Sequence, residues 1–356
     1  MAIKSAFEST TIMSMYQSMK ELRAAPGRAA LITITVGMIA VMVTFLSALA
    51  AGLSAQSVSA LDEVYDKNDA VVISEGATSL SSSSIGETAR KSVQTWANDN
   101  NATIRDVYVS RARVDETPVT VISDFSLNDD QVAVTDGVSE TAIAEGDSLT
   151  LSGAMGEHET TVARVAGDKW LDHQAVIYAG RGVMEDLTPG QMVPAAMVVD
   201  ESAAQLPNVP EGTILRDGER NNLSASYQGE QTSLNAMTSM LYVISALVVG
   251  AFFTVWTVQR LRGVAISSAL GASRSVLVAD SLAQVLAVLA IGVGGGVAVT
   301  AAAGWALQSG DVMPIVVDAS TTVVPGLILA VTGVVGALLA LVPVFRVDPT
   351  TALANA

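Results

Sequence analysis

Cysteine is absent from all 356 residues, which removes disulfides, thiolate metal sites and cysteine nucleophiles together. Any exported domain of this chain must therefore be stabilised by its core alone. Charge is sparse as well: 15% of residues are Asp, Glu, Lys or Arg while half are hydrophobic, too few charges for an ordinary soluble surface. Aromatics reach only 4%, so the apolar content is mostly Ala, Val and Leu, with Gly alongside. That mixture suits closely packed membrane helices. Basic residues number 19 against 35 acidic ones, and a net charge of −16 argues against nucleic acid, whose phosphates need a basic footprint. No G-x-x-x-x-G-K-[ST] occurs, so the chain has no P-loop to cradle nucleotide phosphates. Nucleophile elbows, H-E-x-x-H and paired Cys/His patterns are missing too. No catalytic residue is expected.

What the sequence does have is long uncharged runs. Ala29 to Gly52 is 24 residues without a charge, which as a helix covers about 36 Å and crosses a hydrocarbon core of about 30 Å. Ala236 to Val258 and Val323 to Phe345 are two more, and Val276 to Leu307 is apolar apart from Asp280 and Gln284 near its start. Ala48-Leu49-Ala50 looks like a signal-peptide cleavage site, but the apolar run exceeds a signal h-region of about 7–15 residues and 28 residues precede it. A retained span is expected.

The basic residues orient the spans. Lys4, Lys20, Arg23 and Arg28 precede the first; Arg260, Arg262 and Arg274 lie between the second and third. The loop from Gln308 to Thr322 has Asp311 and Asp318 but no Lys or Arg. Both termini are expected in the cytoplasm. Leu53 to Asn235 carries 11 basic and 29 acidic residues, so it is expected outside and accounts for all of the net negative charge. The expected fold is an α-helical membrane protein with four transmembrane helices, plus an α+β extracytoplasmic domain between helices 1 and 2.

In detail, residues 1–28 form a cytoplasmic amphipathic segment in which Ile12, Met13, Met15, Tyr16, Met19 and Leu22 share a face suited to the inner membrane surface. Residues 29–66 form the first span and a stalk, because Leu53, Val58, Leu61, Val64 and Tyr65 keep helical spacing to about Asp66. The outside domain takes 67–223, a second stalk and span 224–258, and a cytoplasmic loop 259–275. The third span follows at 276–307, an outside loop at 308–322, the fourth span at 323–345 and a tail at 346–356. Strands are expected at Ala70–Ser74, Asp106–Val114, Val119–Ser123, Gln131–Thr135, Ser148–Leu151, Thr160–Val165, Ala175–Tyr178 and Ala195–Val199, with one helix at Glu87–Asn98. Pro207-Asn208-Val209-Pro210 and Asp217-Gly218 read as a loop-rich return.

Three stretches carry a resemblance. Arg262-Gly263-Val264-Ala265-Ile266-Ser267-Ser268-Ala269-Leu270-Gly271-Ala272-Ser273 resembles the "R-E-I-A-x-x-x-A-L-G-A-S" loop of FtsX/MacB-type ABC transporter permeases, with Gly263 where that family commonly has an acid. Arg346-Val347-Asp348-Pro349-Thr350-Thr351-Ala352-Leu353 is similar to its "R-x-D-P-x-x-A-L" ending, and Val132 to Leu151 to a recurring piece of its outside domain. Leu49 to Gln56, the stalk to Tyr65, and Tyr227 ahead of Phe252-Phe253 are similar to the HrtB-type haem-efflux permeases. The resemblance implies a non-catalytic homodimer working with two copies of a cytoplasmic ABC ATPase, which would bind ATP and Mg. It further implies haem as the transported substrate, with no cofactor of the chain's own, and export by mechanotransmission. Membrane lipid is the other partner, and nucleic acid is not one. An FtsX-like signalling permease that regulates a cell-wall hydrolase, or export of a drug, lipid or lipoprotein, is the alternative.

Haem is flat and apolar with two carboxylates, so a site needs an apolar cleft with polar groups at its rim. The candidates are Phe45, Leu49, Leu53, Val58, Leu234, Met237 and Met240, with Tyr227 and Glu230 above them. Tyr227, Glu230 or Met237 would meet the iron. Tyr178 is a further tyrosine similar to a family position, with ordinary strand packing as its other reading. His158 and His173 are the two histidines; both fall well inside the outside domain and are not expected to be ligands. Arg260, Val264, Leu270, Gly271, Ala272, Ser273 and Arg274 are the candidate ATPase-coupling residues, a membrane-surface helix being the alternative. Gly292 and Gly296, at GxxxG spacing, point to close packing within the chain more than to a dimer contact.

Overall fold

The computed structural model describes residues 26–139, 142–188, 190, 192–269, 274–308 and 313–340. Four of its helices are long and apolar enough to cross a membrane, over Ala29–Glu63, Ala225–Val255, Leu282–Leu307 and Ala319–Leu339. A β-rich domain lies between the first and second. The chain divides into two compact units, residues 1–51 with 233–356 and residues 52–232.

The first unit is a helical bundle. Its helices are α1 (Pro26–Val58), α4 (Ala225–Ala269), α5 (Arg274–Gln308) and α6 (Ala319–Ala340), of which α1 and α4 each give some turns to the second unit. Proline at the first position of α1 costs no hydrogen bond, since that N–H has no partner within a helix. Small residues set the spacing. A β-carbon added at Gly296 would stand 2.5 Å from Cβ of Ala40 and 2.7 Å from the carbonyl oxygen of Gly37. One added at Gly292 would meet Val36 at 2.9 Å. The GxxxG pair therefore seats α5 on α1 within one chain, as its spacing suggested. Gly326 and Gly333 receive Val297 and Leu289 of α5, and Gly336 of α6 meets Ala246 and Gly250 of α4. Thr44 and Thr300 hydroxyls meet at 2.7 Å, buried between α1 and α5. The outward faces, with Met38, Met42, Leu247, Ile291 and Leu339, are exposed and apolar, as a hydrocarbon solvent requires. Asp318 caps α6: its carboxylate accepts from the Thr321 N–H and the Ser320 hydroxyl. The Ser320 bond, then the Thr321 bond, hold its carboxyl below the usual range.

The second unit has two β layers. A four-stranded antiparallel sheet runs in the order β11-β1-β10-β2, built from β1 (Asp69–Ser74), β2 (Ile104–Val107), β10 (Ala196–Asp200) and β11 (Gly212–Leu215). Its alternation divides its side chains between two cores. Val72, Met197 and Val199 pack with Ala89 and Val93 of α2 (Glu87–Asn100), whereas Val71, Ile73 and Val198 face the other way. The second layer contains β3 (Val109–Val114), β4 (Thr117–Ser123), β5 (Gln131–Val134), β6 (Ser148–Gly153), β7 (Gly156–Val165), β8 (Trp170–Leu171) and β9 (Gln174–Ala179). The order is β4-β3-β6-β7-β5-β9-β8, and β4 also pairs in parallel with β9. Six strands thus close into a small barrel filled by Val119, Val121, Leu151, Val162 and Ile177. The intervening residues Ile122, Ala133, Val176 and Tyr178 point outward into the core shared with Val71, Ile73, Ala60 and Leu61. A short helix, α3 (Arg181–Leu187), covers the barrel with Val183, Met184 and Leu187.

Three expectations need correction. The helical stalk ends as α-helix at Val58 and tightens to a 3₁₀ turn at Ser59–Glu63 rather than running to Asp66, because neighbouring loops take up the carbonyls that further α turns would use. The run expected as one strand, Asp106–Val114, is two, parted at Tyr108: β2 joins one sheet and β3 the other. The return expected as loop includes the edge strand β11, hidden in sequence by Pro207, Pro210 and Gly212. Arg220, 8% exposed, ties that return down: its Nη1 donates to the carbonyls of Asp66 at 2.6 Å and Asp69 at 3.1 Å. Its guanidinium lies 4.6 Å from the Tyr65 ring. Burial pushes the Tyr65 phenol up to about 12 although that guanidinium opposes it.

Candidate functional site

Within the β-rich unit, a polar cluster forms around the last turn of α1, the first turns of α4 and the tip of the β8–β9 hairpin. Leu171 pairs with Gln174, leaving Asp172 and His173 as a two-residue loop with φ of 51° and 60°. Positive φ at both positions is the geometry that matches strand twist in a tight hairpin. It carries the His173 side chain to Glu230, with Nε2 only 2.6 Å from Oε1. Ser57 donates to the other oxygen, Oε2, at 3.2 Å. Gln56 Oε1 lies 3.4 Å from Nδ1. About a third of each of the His173 and Glu230 side chains is exposed, so a ligand can reach both. Tyr227, one turn before Glu230 on α4, is half-buried.

The other candidates fall as follows. Leu53 and Val58 are in the β-rich unit and half-buried, and Val58 packs against the core of Ala60 and Leu61. Phe45, Leu49 and Leu234 are half-buried in the helical unit, where Met237 and Met240 are 55% and 65% exposed. Tyr178 is closed to any ligand: it is 2% exposed and its hydroxyl donates to the Ala60 carbonyl at 2.8 Å. His158 sits on β7 with Nδ1 2.9 Å from Asp186. Sequence reasoning passed over His173, which lies 57 residues from Glu230. The one available signal was Asp172-His173 between two short apolar runs, a weak turn pattern without glycine.

In the helical unit, α5 and α6 line an apolar groove of about 580 Å³, with Leu286, Val293, Val297, Leu327 and Val331 on its walls. Its lining contains no ionisable side chain, so it could hold an acyl chain but offers iron no charged donor.

Residues 235–349 match the family described as FtsX-like permease C-terminal. Over that stretch the chain is similar to FtsX-like permeases. The matched stretch takes in most of α4 and all of α5 and α6, and so includes the glycines of α5 and α6 at their seams. Of its expected coupling residues, Arg260 and Val264 fall within α4, which runs on helically to Ala269, and Arg274 opens α5. Leu270, Gly271, Ala272 and Ser273 lie outside the described residues, as do residues 1–25 and the tail 346–356. Over the whole chain, the similarity extends to a protein of Staphylococcus haemolyticus strain JCSC1435 named "Putative hemin transport system permease protein HrtB". The two are 23% identical over 347 residues, covering 94% of this chain and 97% of that protein. A protein of the same name from Staphylococcus epidermidis strain RP62A is 23% identical over 350 residues, with the same coverage. Among solved structures, the periplasmic region of MacB from Actinobacillus actinomycetemcomitans aligns at 11% identity and a TM-score of 0.29, covering 50% of this chain and 98% of that one.

Proposed function

We propose that this chain is the membrane subunit of an ABC-type efflux pump that exports haem, powered by a separate cytoplasmic ATPase and working as a homodimer. The observation that supports the cargo best is the His173–Glu230 pair, with Tyr227 one turn before Glu230 on α4, read together with the end-to-end similarity to proteins named as hemin permeases. Imidazole, carboxylate and phenolate are all donors to haem iron. Here a solvent-reachable imidazole and carboxylate meet at the start of one long apolar helix, next to the end of another. The β-rich unit then lies on the extracytoplasmic side and both termini in the cytoplasm, in keeping with the basic loops. The ATPase would engage the stretch from Arg260 to Arg274. Haem would be taken from the membrane, and movement of the helices would drive it out.

Haemin added to the purified chain should give a shifted Soret band, and it should stimulate ATP hydrolysis by the chain assembled with its ATPase. His173→Ala and Glu230→Gln should each weaken haemin binding by about tenfold, which corresponds to losing about 1.4 kcal/mol. Neither should alter the elution of the purified chain. Unchanged spectra in both variants would remove the cluster from the site. A wild-type chain with no spectral shift at all would overturn the haem reading and leave regulation of a cell-wall hydrolase as the alternative.

A further inference from the structure

The Asp172–His173 loop does more than present an imidazole. Its two N–H groups donate to the carbonyls of Ser57 and Gln56, both at 3.1 Å, and so occupy acceptors in the last turn of α1 that the helix itself leaves unpaired. The Asp172 carboxylate serves a second helix. Its Oδ1 accepts from the Ser224 hydroxyl at 2.6 Å, the Ser226 hydroxyl at 2.9 Å and the Ser226 N–H at 3.1 Å. Those serines stand at the entry of α4, where Ser224 is the N-cap and accepts from the Tyr227 N–H at 3.1 Å. A carboxylate at that end also meets the positive pole of the helix. Ser226 Oγ also lies 3.2 Å from Ser57 Oγ, so its single proton can serve either Asp172 or Ser57 and brings the two helices within reach of one another.

We infer that Asp172 is a positioning residue: the two-residue loop is a double cap that clamps the last turn of α1 to the first turn of α4. Neither loop residue is glycine, and both hold a left-handed backbone that side chains disfavour. The reward for that conformation is that N–H groups and carboxylate point to opposite helices from one site. Because Tyr227 and Glu230 stand on the first turns of α4, the clamp also fixes them with respect to His173. In this last respect the inference rests on the transport reading; the clamp itself does not.

The absence of native cysteine makes the clamp directly testable in the full-length chain. In the Ser57→Cys, Ser226→Cys double variant, mild oxidation should form a single disulfide, found by peptide mass spectrometry. Adding Asp172→Ala should slow its formation by about fivefold to tenfold, the loss of one good cap. Adding Asp172→Asn instead, which keeps Oδ1 as an acceptor, should restore the rate to within about twofold. A disulfide that fails to form, or forms equally fast with Asp172→Ala, would overturn the clamp. In the cysteine-free chain, Asp172→Ala should weaken haemin binding by a similar factor and Asp172→Asn should recover it. If the unaltered chain binds no haemin, the transport reading fails, while the cross-linking rates still decide the clamp.

Discussion

The two compact units are held together by opposite means. In the helical unit the helices approach through missing side chains: Gly292 and Gly296 admit α1, and Gly336 admits α4. Lipid is as apolar as leucine, so burying leucine drives little helix association, and close backbone contact must supply it. The β-rich unit instead faces water. It builds a closed barrel and a second sheet around large apolar cores, and polar side chains secure its chain crossings, as Arg220 and Asp172 do. In the first unit, then, side chains added at the seams are the danger. In the second, the danger is donors taken away.

The harshest test of this contrast is Gly296→Leu. Its Cβ alone would collide with Ala40 and with the Gly37 backbone, and backbone cannot yield as a flexible side chain does. The cost expected is about 3 kcal/mol or more. Loss of the monodisperse peak on gel filtration in detergent should follow. A stable, normally eluting variant would show that the α1–α5 seam is not the close contact described.

A paired comparison sharpens the other half. Tyr178→Phe removes the donor to the fully buried Ala60 carbonyl, which should cost about 1–3 kcal/mol, the range for stranding a buried acceptor. Thr300→Val removes the Thr44 partner in the bundle, where such bonds average about 0.6 kcal/mol. Thermal unfolding of the two variants should show the larger drop for Tyr178→Phe. The reverse order would break the distinction between the units.

How much of this the sequence disclosed follows from how local each determinant is. The spans are legible because about twenty uncharged residues have few other uses. Strands such as Gln174–Ala179 and Ala196–Asp200 declare themselves through β-branched or apolar runs. Strand β11 does not, since an edge strand tolerates the Pro and Gly that normally signal a loop. The Asp106–Val114 run hid its break because Tyr108 leaves one sheet for another, a decision made by partners far along the chain. The same holds for the cluster. Tyr227 and Glu230 could be chosen by their place before an apolar span, but His173 reaches Glu230 only because β8 and β9 fold back against the end of α1. No spacing in the sequence records that.

An effect that depends on pH is expected on the β-rich surface, where Glu201 accepts from Arg216 Nε at 2.7 Å, from its Nη2 at 2.6 Å and from the Leu206 N–H at 2.7 Å. Burial alone would raise the Glu201 carboxyl, but the Arg216 bonds and the Leu206 bond outweigh it and hold it below its ordinary 4.5. A carboxyl lowered on folding stabilises the protein above the unfolded value, and that contribution is lost as pH falls through the folded one. Wild type should therefore exceed Glu201→Gln in stability by about 1 kcal/mol at pH 7, the upper range for a partly exposed pair. The gap should persist down to pH 4.5 and close only in more acid solution. Thermal melts of both chains across that range would check it, and a gap that stayed constant into acid would mean that Glu201 contributes packing and not charge. At the glycine seams of the helical unit the closest neighbours among the described residues are backbone atoms and Val, Leu and Ala side chains, so those seams should show no such dependence.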